Sequence, residues 1–110
     1  MYYVKKTIEI SAAHRLTLDY ESKCTGLHGH NWKVTVWCRA KELDKNGMVT
    51  DFTQVKHIVR DALDHKVIND VLPINPTAEN IARWITDRVP NCYRTEVEES
   101  DGNMAIYERD

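Results

Sequence analysis

The 110-residue sequence predicts an α+β fold: a four-stranded antiparallel sheet, order ββααββ, with two helices packed on one face. Three observations lead to it. Apolar and polar residues alternate in segments near both ends of the chain, as in half-buried strands. Two segments between them carry apolar residues at helical spacing. Turn-forming and capping residues separate these elements.

Residues 2–13 read as the first strand, with Val4, Ile8, Ile10 and Ala12 on one parity and Lys5, Thr7, Glu9 and Ser11 on the other. Lys6 interrupts the apolar side, so this strand is expected to begin exposed. Residues 31–42 form the second, where Val34, Val36, Cys38 and Ala40 alternate with Lys33, Thr35, Trp37 and Arg39. Two half-buried strands on either side of a loop suggest an antiparallel pair. Asp44-Lys45-Asn46-Gly47 is a turn, because Asn-Gly readily supplies positive φ. Thr50 or Asp51 caps a helix with apolar positions Phe52, Val55, Val59, Ala62 and Leu63, ending near Asp64-His65. Pro73 and Pro76 bound a loop, and Thr77 caps a second helix whose stripe is Ile81, Trp84, Ile85 and Val89, with Pro90 ending it. Residues 93–99 and 104–108 flank the hairpin signal Asp101-Gly102-Asn103.

Residues 1–110 form a single domain, small enough that self-association would help it bury surface. A hydrophobic share of 42% and a charged share of 29% are those of a soluble globular protein. With a net charge of −2 and no basic block longer than Lys5-Lys6, the chain offers no nucleic-acid surface. The N-terminus has no apolar leader region, and no run approaches the length of a membrane span. Cys24, Cys38 and Cys92 make an odd count without disulfide-framework spacing, which suits a cytoplasmic protein with reduced thiols.

The chemistry concentrates in Cys24-Thr25-Gly26-Leu27-His28-Gly29-His30-Asn31, with a third histidine, His14, in the first strand segment. Residues two apart on a strand point to one side, so His28 and His30 converge if their segment is extended. His14 shares parity with Ile8, Ile10 and Ala12, so the three imidazoles fall where the inward faces of two paired strands run out into loop. Three histidines with an open fourth position are the arrangement of a catalytic zinc. The same spacing also fits a closed Cys/His₃ structural site with Cys24 as fourth ligand, or loop histidines beside a satisfied core histidine.

Asp64-His65 follows the first helix, where a carboxylate and the helix C-terminus favour the charged imidazole and allow proton relay near neutral pH. Glu99 shares parity with Tyr93, Thr95 and Val97, and a carboxylate on an apolar face must be paired or bound to something. An aminopyrimidine group, with two parallel N–H donors, would suit it; the plainer alternative is rotation into solvent at the strand end. Thr77 and Glu79 have a ready explanation as helix cap and first-turn acid, although such an N-terminus also offers free N–H donors. Cys38 and Cys92 look structural, Trp84 belongs with the core, and His57 has no evident partner.

Six ordered motifs carry a resemblance over nearly the whole chain: Ser11-Ala12-Ala13-His14-Arg15-Leu16, Cys24-x-x-Leu27-His28-Gly29-His30-Asn31, Gly47-Met48-Val49-Thr50-Asp51-Phe52, Leu63-Asp64-His65, Asn75-Pro76-Thr77-Ala78-Glu79-Asn80 and Val97-Glu98-Glu99. Together they resemble the 6-pyruvoyl-tetrahydropterin synthase / 6-carboxytetrahydropterin synthase family. The resemblance implies the tunnelling fold, in which subunits close an oligomeric barrel, and a homohexamer built as a dimer of trimers with active sites at subunit interfaces. It implies Zn2+ on His14, His28 and His30, Cys24 as catalytic thiol, and Asp64 with His65 as a second proton relay. Glu99 would hold the pterin's aminopyrimidine edge, with Thr77, Ala78 and Glu79 around it.

Three residues between Cys24 and His28 resemble the 6-carboxytetrahydropterin synthase branch of the queuosine pathway, whereas the pyruvoyl synthases of animals usually carry a longer insertion. That branch converts 7,8-dihydroneopterin triphosphate to 6-carboxy-5,6,7,8-tetrahydropterin, acetaldehyde and triphosphate. Gly26 stands where this branch often has Arg or Asn, and Ala78 where the family often has Ser or Thr. Neither touches the implied zinc or proton-transfer set.

Overall fold

Four strands, β1 (Tyr2–His14), β2 (His28–Ala40), β3 (Cys92–Ser100) and β4 (Asn103–Glu108), form one sheet in the order β1-β2-β3-β4, every neighbouring pair antiparallel. The computed structural model describes all residues 1–110. Helices α1 (Phe52–Leu63) and α2 (Ala78–Arg88) lie between β2 and β3 in sequence, as the hydrophobic spacing predicts. Short 3₁₀ turns occupy Lys23–Thr25 and Ile68–Asp70. No helix is long and apolar enough to cross a membrane.

The core forms between the even-numbered face of β1 and β2 and the helices. Ile8, Ile10, Ala12, Trp32, Val34, Val36 and Val97 from the sheet meet Val55, Val59 and Leu63 of α1 and Ile81, Ala82 and Ile85 of α2 in one buried cluster. The opposite face carries exposed Lys5, Thr7, Glu9, Lys33 and Arg39. Lys6 is half-buried at the interrupted end of β1. Phe52 departs from the expected buried stripe and is 49% exposed. It occupies the first helical position and lines an open hollow with Tyr2, Tyr3 and Met48, beyond the packed face. Trp84 is half-buried at the core margin, its ring 4.0 Å from the Arg88 guanidinium.

Of the two candidate caps of α1, Asp51 does the work, accepting a hydrogen bond from Thr53 N at 2.8 Å. Thr50 instead donates its hydroxyl to the Pro90 carbonyl at 2.9 Å, tying the start of α1 to the end of α2. Thr77 caps α2 through Asn80 N at 3.1 Å.

Three local features position the site. The β1–β2 register runs without interruption from Tyr2↔Ala40 to His14↔His28, so β2 begins at His28 rather than near residue 31. The β3–β4 register shifts between Glu98 and Ser100, leaving Glu99 without a cross-strand partner at a bulge. Finally, the chain leaving α1 runs along the outer edge of β1: His65 N donates to Ser11 O at 2.6 Å and Ala13 N to Lys66 O at 3.0 Å. His65 adopts a left-handed conformation there, with φ 56°.

Candidate functional site

His14 ends β1, and His28 and His30 open β2. The register sets His14 opposite His28 and Ala12 opposite His30, so the three imidazoles share the inward face. Nδ1 of the buried His14 lies 2.8 Å from the Pro76 carbonyl, and Nδ1 of His28 lies 2.7 Å from the Gly26 carbonyl. A carbonyl only accepts, so each Nδ1 must carry the hydrogen, which leaves each Nε2 with its lone pair in the neutral ring. Burial lowers the pKa of His14 below its ordinary value of 6.5, against the opposing effect of the Pro76 contact, and favours the neutral form.

The two Nε2 atoms are nonetheless only 3.0 Å apart. Glu99 Oε1 adds another acceptor, 3.2 Å from His14 Nε2 and 3.3 Å from His30 Nε2. His30 Nε2 is buried and makes no hydrogen bond, so its approach to Glu99 lacks the geometry of one. Converging lone pairs and a carboxylate repel one another unless a cation lies between them. All four donor atoms fall within 4.8 Å of one another, and three imidazole nitrogens with one carboxylate oxygen suit a zinc-like divalent ion. The cluster can therefore hold a metal.

Trp32, absent from the sequence-level candidates, holds two of these rings in place. Its Nε1 donates to the Ala12 carbonyl at 3.0 Å, and its ring meets His14 and His30 edge-on at centroid distances of 4.8 and 5.1 Å. Trp32 is fully buried, so the imidazoles rest against a fixed wall. Its parity with Val34 was the available signal.

Cys24 sits half-buried on the 3₁₀ turn between β1 and β2. Its carbonyl accepts from Leu16 N at 2.8 Å and its amide donates to Ser22 Oγ at 3.2 Å. Its sulfur is not one of the four clustered donor atoms; the fourth is Glu99. Asp64 and His65 stand apart from the cluster, in the segment that covers the outer edge of β1. Asp64 Oδ1 accepts from Ser11 N at 2.8 Å, Asp64 Oδ2 lies 3.7 Å from His65 Nε2, and the His65 side chain is 82% exposed. One chain thus brings together the histidines and Glu99 but leaves the Asp64–His65 pair outside.

Glu99 also faces a cavity of about 490 Å³, whose other walls include Ala78 and Glu79 at the start of α2 and Asn103, Met104 and Ile106 of β4. The Thr77 hydroxyl is engaged as the α2 cap. His57 remains on the outer face of α1, 3.9 Å from Asp61 and away from the cluster.

Fold and site together define a small α+β protein built around a histidine–carboxylate group able to bind a metal. The family profile described as 6-pyruvoyl tetrahydropterin synthase matches residues 3–110, and the chain belongs to that family. A 6-carboxy-5,6,7,8-tetrahydropterin synthase of Synechocystis sp. is 35% identical over 121 residues, covering 97% of this chain and 93% of that protein. A protein of the same name from Bacillus subtilis is 28% identical, covering 96% and 84%. The structure of Caenorhabditis elegans 6-pyruvoyl tetrahydropterin synthase superposes with a TM-score of 0.77 at 27% identity, covering 99% of this chain and 96% of that one. The fold is the tunnelling fold of these pterin synthases.

Proposed function

We propose that this chain is a zinc-dependent 6-carboxy-5,6,7,8-tetrahydropterin synthase acting in the cytoplasm. It converts 7,8-dihydroneopterin triphosphate to 6-carboxy-5,6,7,8-tetrahydropterin, acetaldehyde and triphosphate, in the route to queuosine. The observation that carries this reading is the convergence of His14, His28 and His30 on Glu99, a carboxylate that also lines a cavity. The names of the Synechocystis and Bacillus relatives support the same product.

The three histidines would hold the metal, with His14 and His28 oriented for it by the Pro76 and Gly26 carbonyls at their Nδ1 atoms. When bound, zinc would hold side-chain oxygens of the substrate and acidify the adjoining C–H and O–H groups. Cys24, as thiolate, takes a proton on one side of the substrate side chain, and His65, steadied by Asp64, moves protons on the other. Glu99 fixes the aminopyrimidine edge in the cavity beside Thr77, Ala78 and Glu79, which presents the side chain to the reacting groups. Because Asp64 and His65 lie at the β1 edge, the working site takes them from a neighbouring copy, in a homohexamer made of two trimers.

The second reading is 6-pyruvoyltetrahydropterin synthase, favoured by the likeness to the C. elegans structure. The short gap between Cys24 and His28 favours the carboxy product. Incubating the zinc-loaded protein with 7,8-dihydroneopterin triphosphate and analysing by mass spectrometry decides the matter. Acetaldehyde with the carboxy product is expected, the pyruvoyl product would establish the second reading, and unchanged substrate would leave only a zinc- or pterin-binding protein.

A further inference from the structure

Glu99 faces two partners that compete for it. On one side its Oε1 lies 3.2 and 3.3 Å from the Nε2 atoms of His14 and His30, and His14 and His28 are themselves 3.0 Å apart through the same nitrogens. Ligand atoms arranged tetrahedrally at zinc bond lengths stand about 3.3 Å apart, which these three spacings match; all four atoms lie within 4.8 Å, so the carboxylate is within reach of the same ion. On the other side Glu99 lines the cavity between α2 and β4. An aminopyrimidine edge with two parallel N–H donors engages both oxygens of a carboxylate and so competes with a metal for the same charge and the same side-chain direction.

The backbone at this point suits a side chain that changes partner. The register shift between Glu98 and Ser100 places Glu99 at a bulge, which turns its side chain out of the strand's regular alternation. It is 27% exposed, in contrast to the wholly buried His14.

Building on the proposed metal and pterin readings, we propose that Glu99 is the fourth metal ligand of the resting site and is taken off the metal by the incoming pterin ring, so that the fourth coordination position opens only once the ring has docked. An empty site thereby keeps its metal closed to water and stray ligands. Ring recognition and metal activation become one event at a single carboxylate.

The test uses the cobalt(II)-substituted protein, whose visible absorption reports coordination number and ligand type, together with zinc affinity from chelator competition. Glu99→Gln and the shorter Glu99→Asp are compared with wild type, each checked for the native fold by circular dichroism. Both variants should show an altered cobalt spectrum and bind zinc at least about tenfold more weakly, since loss of even an indirect partner of a metal ligand has that effect. Adding pterin, the bare ring without a three-carbon side chain, should shift the wild-type spectrum towards that of Glu99→Gln.

Wild-type spectra and zinc affinity in both variants would overturn the proposal. So would a wild-type spectrum that stays unchanged while calorimetry shows pterin bound. Failure of pterin to bind at all would overturn the exchange together with the proposed pterin chemistry. Turnover of 7,8-dihydroneopterin triphosphate, measured separately, tells the two apart: product without any Glu99-dependent spectrum sinks this proposal and leaves the function standing.

Discussion

Cys24 and Glu99 stand in different relations to the histidines, and the difference sets what each substitution should do. The Cys24 sulfur is outside the group of four donor atoms, so Cys24→Ala should retain stoichiometric zinc. Product formation should fall by roughly a hundredfold or more, the scale of a lost proton-transfer group. Loss of zinc in that variant, read by atomic absorption, would instead make Cys24 a structural ligand. Thiol chemistry offers a control within the same chain. Cys38 and Cys92 are 1% and 7% exposed and face each other across β2 and β3. The neighbouring Cys92, together with burial, pushes the Cys38 thiol up, while Cys38 in turn draws the Cys92 thiol down, so it is burial that shields both from a reagent. A thiol reagent should therefore modify one cysteine per folded chain, Cys24, and three in denaturant. The histidine triplet and the odd thiol were legible in the sequence because strand parity is a local rule. Glu99 was legible only as an anomaly: a bulge depends on two strands at once, and its contact with His14 joins residues far apart in the chain.

At the scale of elements, order and type follow from periodicity, while the ends are decided by neighbours. β2 begins at His28 because β1 continues to His14 and offers it a partner, and that extension is what draws two histidines onto a rigid ladder. Helix α1 starts where Asp51 caps it, since the competing Thr50 hydroxyl is drawn to Pro90, a contact no local pattern announces. Trp32 is the element-level support of the site, joining β2 to β1 through the Ala12 carbonyl and walling off His14 and His30. Trp32→Phe removes the indole N–H from a buried carbonyl, which should destabilise the protein by about 1–3 kcal/mol, with some further loss from the smaller ring. Denaturant unfolding measures that change. Zinc affinity should also fall, because the imidazoles lose their fixed wall; an unchanged affinity would make Trp32 a core residue only.

For the whole molecule, the sheet has two outer strands, and only the Ser11–Ala13 stretch of β1 is covered, by the segment after α1. Free antiparallel edges invite pairing with another chain. Tyr2, Tyr3, Met104 and Ile106 on those outer strands are each exposed by 44% or more, as in a surface that is covered on assembly. The proposed relay would give self-association a catalytic consequence. Asp64 and His65 sit at the β1 edge, whereas the histidines and Glu99 lie across β1, β2 and β3, so a site made from two copies requires Cys24 of one chain and His65 of another. Cys24→Ala and His65→Ala chains should each be inactive alone. After denaturation and refolding together in equal amounts, a random assembly places an intact Cys24 opposite an intact His65 in about one site in four, and should regain about a quarter of wild-type activity. Mixing the folded variants without dissociation should restore nothing. A co-refolded mixture as inactive as its components would mean that each chain supplies its own relay, which would require the Asp64–His65 pair to leave the edge of β1.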